Sequence, residues 1–278
     1  MIGEPSSLPT VYHQTVGDFP QAQSIDSLSV AARFADACAK VEADRLREGI
    51  GTLGEKTLHA VLKHFFCPDV TCHEQKIGSY FADIATDDEI IEIQTRDLYR
   101  LKTKLNAFLA EGYRVRVVHP IPRHRWIYWI EEDGTLSDRR KSPKVGKPHH
   151  ALPELSGIAD LLFLPGLTVT LLFLDVEDFR NLDGWSKDGK KGSSRYERMP
   201  LSYVEEIDLH TPADLAPLLP PNLPARFSAA EFYKKGGYRG RSAYYALKLV
   251  EQTGIISKIG QEGRKFIYTV HLPTSTDL

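Results

Sequence analysis

Apolar residues recur at helical spacing in three stretches of the first half of the chain. Leu28, Ala31, Phe34, Ala35 and Cys38 predict a helix over about Ser27–Glu48, and the glycine-bearing run 49–54 interrupts it. Leu58, Val61, Leu62 and Phe65 then stripe a second helix over Glu55–Phe66. Leu98, Leu101, Leu105 and Phe108 stripe a third over Arg96–Glu111, with Thr95 as its N-cap and Gly112 as its C-terminal stop. Between the second and third helices the period falls to two. Thr71–Gln75, Phe81–Ala85 and Ile90–Gln94 read as strands, the last two joined by the polar loop Thr86-Asp87-Asp88-Glu89. Two further strands are expected at RVRVVHPI and RWIYWIE, and a buried one at Leu167–Leu174.

The remaining segments read as breaks. The first two dozen residues form an irregular, proline-dotted arm, Ser137–His150 a charged linker, Gly184–Gly192 an exposed loop, and LAPLLPPNLPARF a proline-rich boundary. The last fifty residues read helix, turn, helix, two strands. Ser228 caps the first helix, Arg241–Gln252 makes the second, and Ile255–Ile259 pairs with Lys265–Val270 across Gln261-Glu262-Gly263. No internal repeat is present. The expected units are an N-terminal arm and helix (1–48), a main α/β domain (49–219) and a small α+β domain (220–278).

Two acids break the apolar pattern of the hairpin. If Ala85 pairs with Ile90, then Asp83 stands opposite Glu92, with Gln94 on the same face and Ile91 and Ile93 on the other. Opposed carboxylates cost stability and call for a proton or a cation between them, so removing either should relieve repulsion. A register slip of one residue would part them, and Glu92 would then be an ordinary acid on the polar side of an edge strand.

Composition narrows the setting. With 42% hydrophobic and 26% charged residues the chain of 278 residues has the make-up of a globular protein. Its longest apolar candidate, Leu161–Leu174, is broken by Pro165-Gly166, so no membrane span is expected. The start lacks the basic region and apolar core of a signal peptide, and three cysteines argue against a disulfide framework, so a reducing cytoplasm is expected. The net charge of -2 decides nothing about partners.

The order helix, strand, acid-bearing hairpin, helix, strand resembles the PD-(D/E)XK nuclease superfamily over about Leu53–Ile130. The resemblance implies a restriction-endonuclease-like αβββαβ core in which Glu55, Asp83, Glu92 and Gln94 occupy the catalytic positions. Asp83, Glu92 and the Ile93 carbonyl would hold Mg²⁺ or Mn²⁺, and Glu55 would orient water or complete the shell. Carboxylate oxygens suit these ions, which draw charge from phosphoryl oxygens and acidify bound water. The expected activity is therefore metal-dependent hydrolysis of DNA phosphodiesters. Gln94 stands where the family usually has lysine, although members with glutamine exist; a neutral amide can only hydrogen-bond, and Lys102 or Lys104 could reach in instead, the alternative being a catalytically inactive DNA-binding or regulatory protein.

His64, Cys67, Cys72 and His73 include zinc-ligand types at an uncommon spacing, for which buried thiols are the plainer account. The basic run Arg139, Arg140, Lys141, Lys144 and Lys147 reads as a solvated loop, and Arg180, Arg195 and Arg198 as weaker candidates for DNA contact.

The C-terminal segment resembles a winged helix-turn-helix domain. From Arg226 to His271 it carries nine Lys and Arg against three Glu. The resemblance places Arg239 and Arg241 at the recognition helix and Lys258, Arg264 and Lys265 in the wing, facing double-stranded DNA. A protein-binding role is the alternative for such a module, and pairing of two copies as a homodimer is left open.

Overall fold

The structure, a computed structural model, describes residues 29–48, 56–131, 133–182 and 194–271, without the side chains of 45–48. Helices α1 (Val30–Glu48) and α2 (Thr57–Phe66) form where the periodicity predicts, but α1 buries Phe34, Ala37 and Val41 against Leu58, Val61, Leu62 and Phe65, while Ala31 and Ala35 of the expected stripe are exposed. Together they cover one face of a mixed sheet built from β1 (His73–Ile77), β2 (Tyr80–Ala85), β3 (Ile90–Ile93), β4 (Val115–Ile130), β5 (Arg140–Lys141), β6 (Leu167–Asn181) and β7 (Ser194–Leu209). The order is β1-β2-β3-β4-β6-β7, with β5 on the flank of β4. The β3/β4 and β4/β6 pairs are parallel and the others antiparallel. α3 (Lys102–Ala110) covers the opposite face, packing Leu105 and Phe108 with Ala82, Ile90, Val115 and Val117.

Three local expectations change. Thr95 does not cap the third helix. Asp97 takes a left-handed φ of 57°, a 3₁₀ turn over Leu98–Leu101 follows, and α3 begins only at Lys102. The distant Glu154 carboxylate accepts from the Leu98 amide at 3.3 Å, taking over a role that a cap would fill. RVRVVHPI and RWIYWIE prove to be one strand, β4, whose register against β6 shifts between Pro122 and Arg125. Proline offers no amide to the ladder, so the strand passes it through an irregularity, where the His124 amide donates to Asp175 Oδ1 at 3.0 Å. Lastly, β6 runs well past Leu174 and pairs along its length with β7, a strand that the weakly alternating, charge-bearing sequence did not announce. The ends of β4, β6 and β7 thus form a three-stranded extension with half-buried side chains. The expected exposed loop Gly184–Gly192 lies outside the described residues.

Part of the charged linker is ordered as β5 on the β4 edge, where Arg139 and Lys141 cover the Trp126 ring at 4.5 and 5.4 Å. Beyond it lies the short helix α4 (Leu152–Leu155).

The C-terminal segment comprises β8 (Arg226–Ser228), α5 (Ala229–Gly236), α6 (Arg241–Gln252), β9 (Ile256–Glu262) and β10 (Lys265–Val270), with the antiparallel sheet order β8-β10-β9. Ser228 and Glu231 form a reciprocal cap at the start of α5. Strand β8 completes a sheet expected to have two strands. Phe227, Phe232, Ala246 and Val250 belong to the same buried cluster as α3 and α4, and Tyr238 Oη donates to the His149 carbonyl at 2.6 Å. Among the described residues no helix is long and apolar enough to cross a membrane.

Candidate functional site

The hairpin adopts the register that opposes the two acids. Ala85 pairs with Ile90 and Ile84 with Ile91, so the next rung sets Asp83 against Glu92. The ladder then gives way to a side chain: Asp83 Oδ2 accepts from the Ile93 amide at 2.7 Å, a bond that main chain supplies elsewhere in the sheet. Removing the Asp83 carboxylate would therefore strip a partner from a buried amide, which corrects the expectation that truncating either acid relieves the pair.

Glu92 is only 2% exposed and points to the α3 side. Its Oε2 accepts from Lys104 Nζ at 2.6 Å, while Oε1 is buried without a hydrogen-bond partner. Burial and then the nearby Asp83 carboxylate push the Glu92 carboxyl up to about 7, and Lys104 opposes both. Of the two lysines considered as substitutes, Lys104 reaches the pair, whereas Lys102 pairs with Asp160 at 2.6 Å. Gln94 turns away: its Nε2 donates to the Arg96 carbonyl at 2.6 Å. Glu55 lies outside the described residues. Among those described, no group of three or more His, Cys, Asp or Glu is placed to hold a metal ion.

Two histidines that the sequence did not single out fix the end of β3. His59 Nε2, on α2, donates to the Ile93 carbonyl at 2.6 Å, and His119 Nδ1, on β4, donates to the Gln94 carbonyl at 2.8 Å. Burial holds the His119 pKa below its usual value, so it serves as a neutral donor. Neither stands in a motif; each finds its role through strand and helix placement that only the fold supplies.

Next to His59 opens a cavity of about 280 Å³, lined also by Lys56 and Thr95 and, from β7, by Arg195, Glu197 and Arg198. Arg198 is bound bidentately to the buried Asp178 at 2.6 and 2.9 Å. Arg195 is exposed and makes no hydrogen bond or ion pair with the described residues. The weak candidates Arg195 and Arg198 thus meet at one cavity beside the hairpin.

The four residues of the zinc-type pattern are close but otherwise engaged. His73 Nε2 donates to the Cys67 carbonyl at 2.8 Å, and Cys67 and Cys72 are buried free thiols. Desolvation and the Cys67 neighbour push the Cys72 thiol up to about 12, which keeps it protonated.

In the C-terminal segment Arg239, Arg241, Lys258, Arg264 and Lys265 are all exposed. Arg241 shares the outer side of α6 with Tyr244, Tyr245 and Lys248, and Lys258 covers the Phe266 ring at 3.6 Å.

Comparison with known proteins gives kinship without chemistry. A Treponema pallidum (strain Nichols) protein described as uncharacterized is 29% identical over 231 residues, covering 81% of this chain and 88% of its own length. No solved structure matches. The model of one family matches residues 56–210, a span that runs from the start of α2 to the end of β7 and holds the acid pair, both histidines and the arginine-lined cavity. The chain belongs to that family, described as a domain of unknown function (DUF8091).

Proposed function

We propose that this protein is a metal-dependent nuclease of the PD-(D/E)XK type that hydrolyses phosphodiester bonds in DNA, with a C-terminal winged helix that holds the duplex. The observation that carries the reading is the Asp83/Glu92 pair. Glu92 is buried with an unpartnered oxygen, and its raised pKa means that Lys104 alone does not compensate its charge. Such a group favours an added cation, and an all-oxygen donor set suits Mg²⁺ or Mn²⁺. Asp83 retains Oδ1, Glu92 offers Oε1, and the Ile93 carbonyl keeps a second lone pair beside its bond to His59. When bound, the ion would supply positive charge against the phosphoryl oxygens. The chain's own part is to fix the carboxylates through the Ile93 amide and to hold the end of β3 through His59 and His119.

A second reading has its own observation. Gln94 faces the Arg96 carbonyl, and the Lys104 ammonium already stands against Glu92, so the domain would be an inactive nuclease fold that binds DNA. Calorimetric titration with Mn²⁺, together with plasmid cleavage by the wild type, Asp83→Asn and Glu92→Gln, separates the two. The nuclease reading expects Mn²⁺ binding and cleavage that both variants lose. DNA binding by a wild-type protein that takes up no Mn²⁺ and cuts nothing would establish the second.

A further inference from the structure

The extension of β4, β6 and β7 gathers like charges on one face. Register places Arg125 beside Val176, Ile127 beside Asp178, Asp178 beside Arg198, and Arg180 directly opposite Arg195. Val176 packs in the cluster under α1 and α2, so Arg125, Asp178, Arg198, Arg180 and Arg195 share that face; Arg180 is engaged elsewhere, and the other three guanidinium groups face one carboxylate among the described residues. The carboxylate is committed, since Asp178 holds both its oxygens on Arg198. The Arg125 side chain makes no hydrogen bond with the described residues, and its Nε is fully buried without a partner. Arg180 stands opposite Arg195 on the neighbouring strand and disfavours its charge.

The electrostatics agree with the geometry. Desolvation first and then Arg198 push Arg125 below its usual range; Asp178 opposes this and Arg180 adds to it. The same causes lower Arg195, with Arg96 and Arg180 contributing further. Glu197 is the acid on the cavity wall, and its Oε1 is taken up by the Arg198 amide at 2.8 Å. Lys56 faces the cavity from the approach to α2.

We propose that this cavity is a phosphate-binding site, in which Arg195 and Lys56 receive the anion directly while Arg125 and the Asp178-anchored Arg198 supply the surrounding positive field. Guanidinium forks match phosphate oxygens bidentately, and a cavity of about 280 Å³ admits a phosphate with part of its ester. The ligand is a phosphate monoester or diester, either free in solution as a nucleotide or borne on a nucleic-acid backbone. Neither Asp83 nor Glu92 lines the cavity, so the site does not depend on metal held by them.

The test is made in EDTA, which removes any contribution of divalent metal. Thermal melts of the full chain are recorded with sodium phosphate and with sodium chloride at matched ionic strength, for the wild type, Arg195→Ala and Arg195→Lys. Phosphate should raise the wild-type Tm above chloride. Arg195→Ala, an exposed position where folding is not at risk, should bind phosphate about tenfold more weakly, with Arg195→Lys between the two. Binding of a fluorescent DNA duplex, again in EDTA, assigns the source. A parallel loss of duplex affinity in Arg195→Ala places the phosphate on a nucleic-acid backbone, and loss of the phosphate effect alone places it on a small molecule. Equal effects of phosphate and chloride on the wild type, or an Arg195→Ala variant that responds to phosphate as the wild type does, would overturn the proposal. Neither result bears on cleavage, which is read in Mn²⁺ with the acid variants.

Discussion

Two arginine sites on one face of the sheet handle charge in opposite ways. Near the start of β4, Arg116 reaches Glu89 at 3.2 Å and Asp208 at 3.3 Å, and its Nη1 also donates to Thr170 at 3.0 Å. Desolvation opposes the charge there, but Glu89 and Asp208 outweigh it and hold the guanidinium above its usual range. At the far end of β4, Arg125 has no such partners and is pushed down instead. The acid pair at Asp83 and Glu92 repeats the second situation with the opposite sign, relieved in part by Lys104. A group whose partners come from the same fold acts as a structural tie. A group whose neighbours share its charge keeps capacity for an opposite charge, which is what both proposals above rest on, and His59 links the two sets, since it bonds the Ile93 carbonyl and lines the cavity.

The largest expected effect concerns the acids. Asp83→Asn and Glu92→Gln should each lower cleavage by at least about a thousandfold, since a catalytic ion supplies several kcal/mol of transition-state stabilisation. Asparagine is the correct probe at 83 because its side-chain carbonyl can still accept from the Ile93 amide. Plasmid nicking at wild-type rate in either variant would remove that acid from the chemistry.

Stability against pH comes next. The folded Glu92 carboxyl, near 7, lies above its ordinary value of 4.5, so its protonated form favours the folded state. Its contribution is complete below about pH 4.5 and is lost as pH rises through about 7, on the order of 3 kcal/mol in all without metal. Urea melts across that window should show the loss in the wild type relative to Glu92→Gln, and Mn²⁺ should cancel it. Parallel stability curves for the two proteins would show that Glu92 titrates normally.

Arg116→Ala should destabilise by about 2 kcal/mol, because it leaves Glu89 and Asp208 facing one another in a partly buried place. Arg195→Ala should stay within about 0.5 kcal/mol of the wild type in chloride, or gain slightly, because it relieves Arg180. Equal losses at the two sites, read by urea melts at one pH, would erase the distinction between them. The smallest effect is expected in the C-terminal segment: Arg239→Ala with Arg241→Ala should reduce the slope of log affinity against log salt by about two, measured by fluorescence anisotropy. An unchanged slope would make α6 a surface for protein partners.

Legibility followed the range of the interactions. Helices α1 and α2, the hairpin register and the reciprocal cap at Ser228 rest on local spacing, so the sequence reveals them. The onset of α3 was missed because Glu154, more than fifty residues away, accepts from the Leu98 amide. Strand β7 is not legible because apolar and polar residues mix on its outer positions, with Tyr196, Leu201 and Val204 exposed beside Arg195 and Glu206, and it is held by pairing to β6. The candidate site divides along the same line. Asp83 and Glu92 are two rungs of one hairpin, whereas His59, His119 and Arg195 join the site from α2, β4 and β7.

The irregularity at Pro122 has a consequence for how this protein can change. Before it, Val115, Val117 and Ile121 face the α3 layer; beyond it, one residue has been added to β4 relative to β6, and odd-numbered Arg125 lies over Val176 on the opposite face. Side-chain direction has a strict period of two, so the inserted residue is a parity switch. Were β4 to pass Pro122 as a regular strand with its length unchanged, His124 would stand over Val176, Arg125 would turn to the opposite face, and Trp126 and Tyr128 would come to the arginine face. Deleting His124 would remove the added residue, restore equal steps in the two strands and leave Arg125 over Val176, so the arginine face tolerates loss of that residue but not straightening of the strand at its present length.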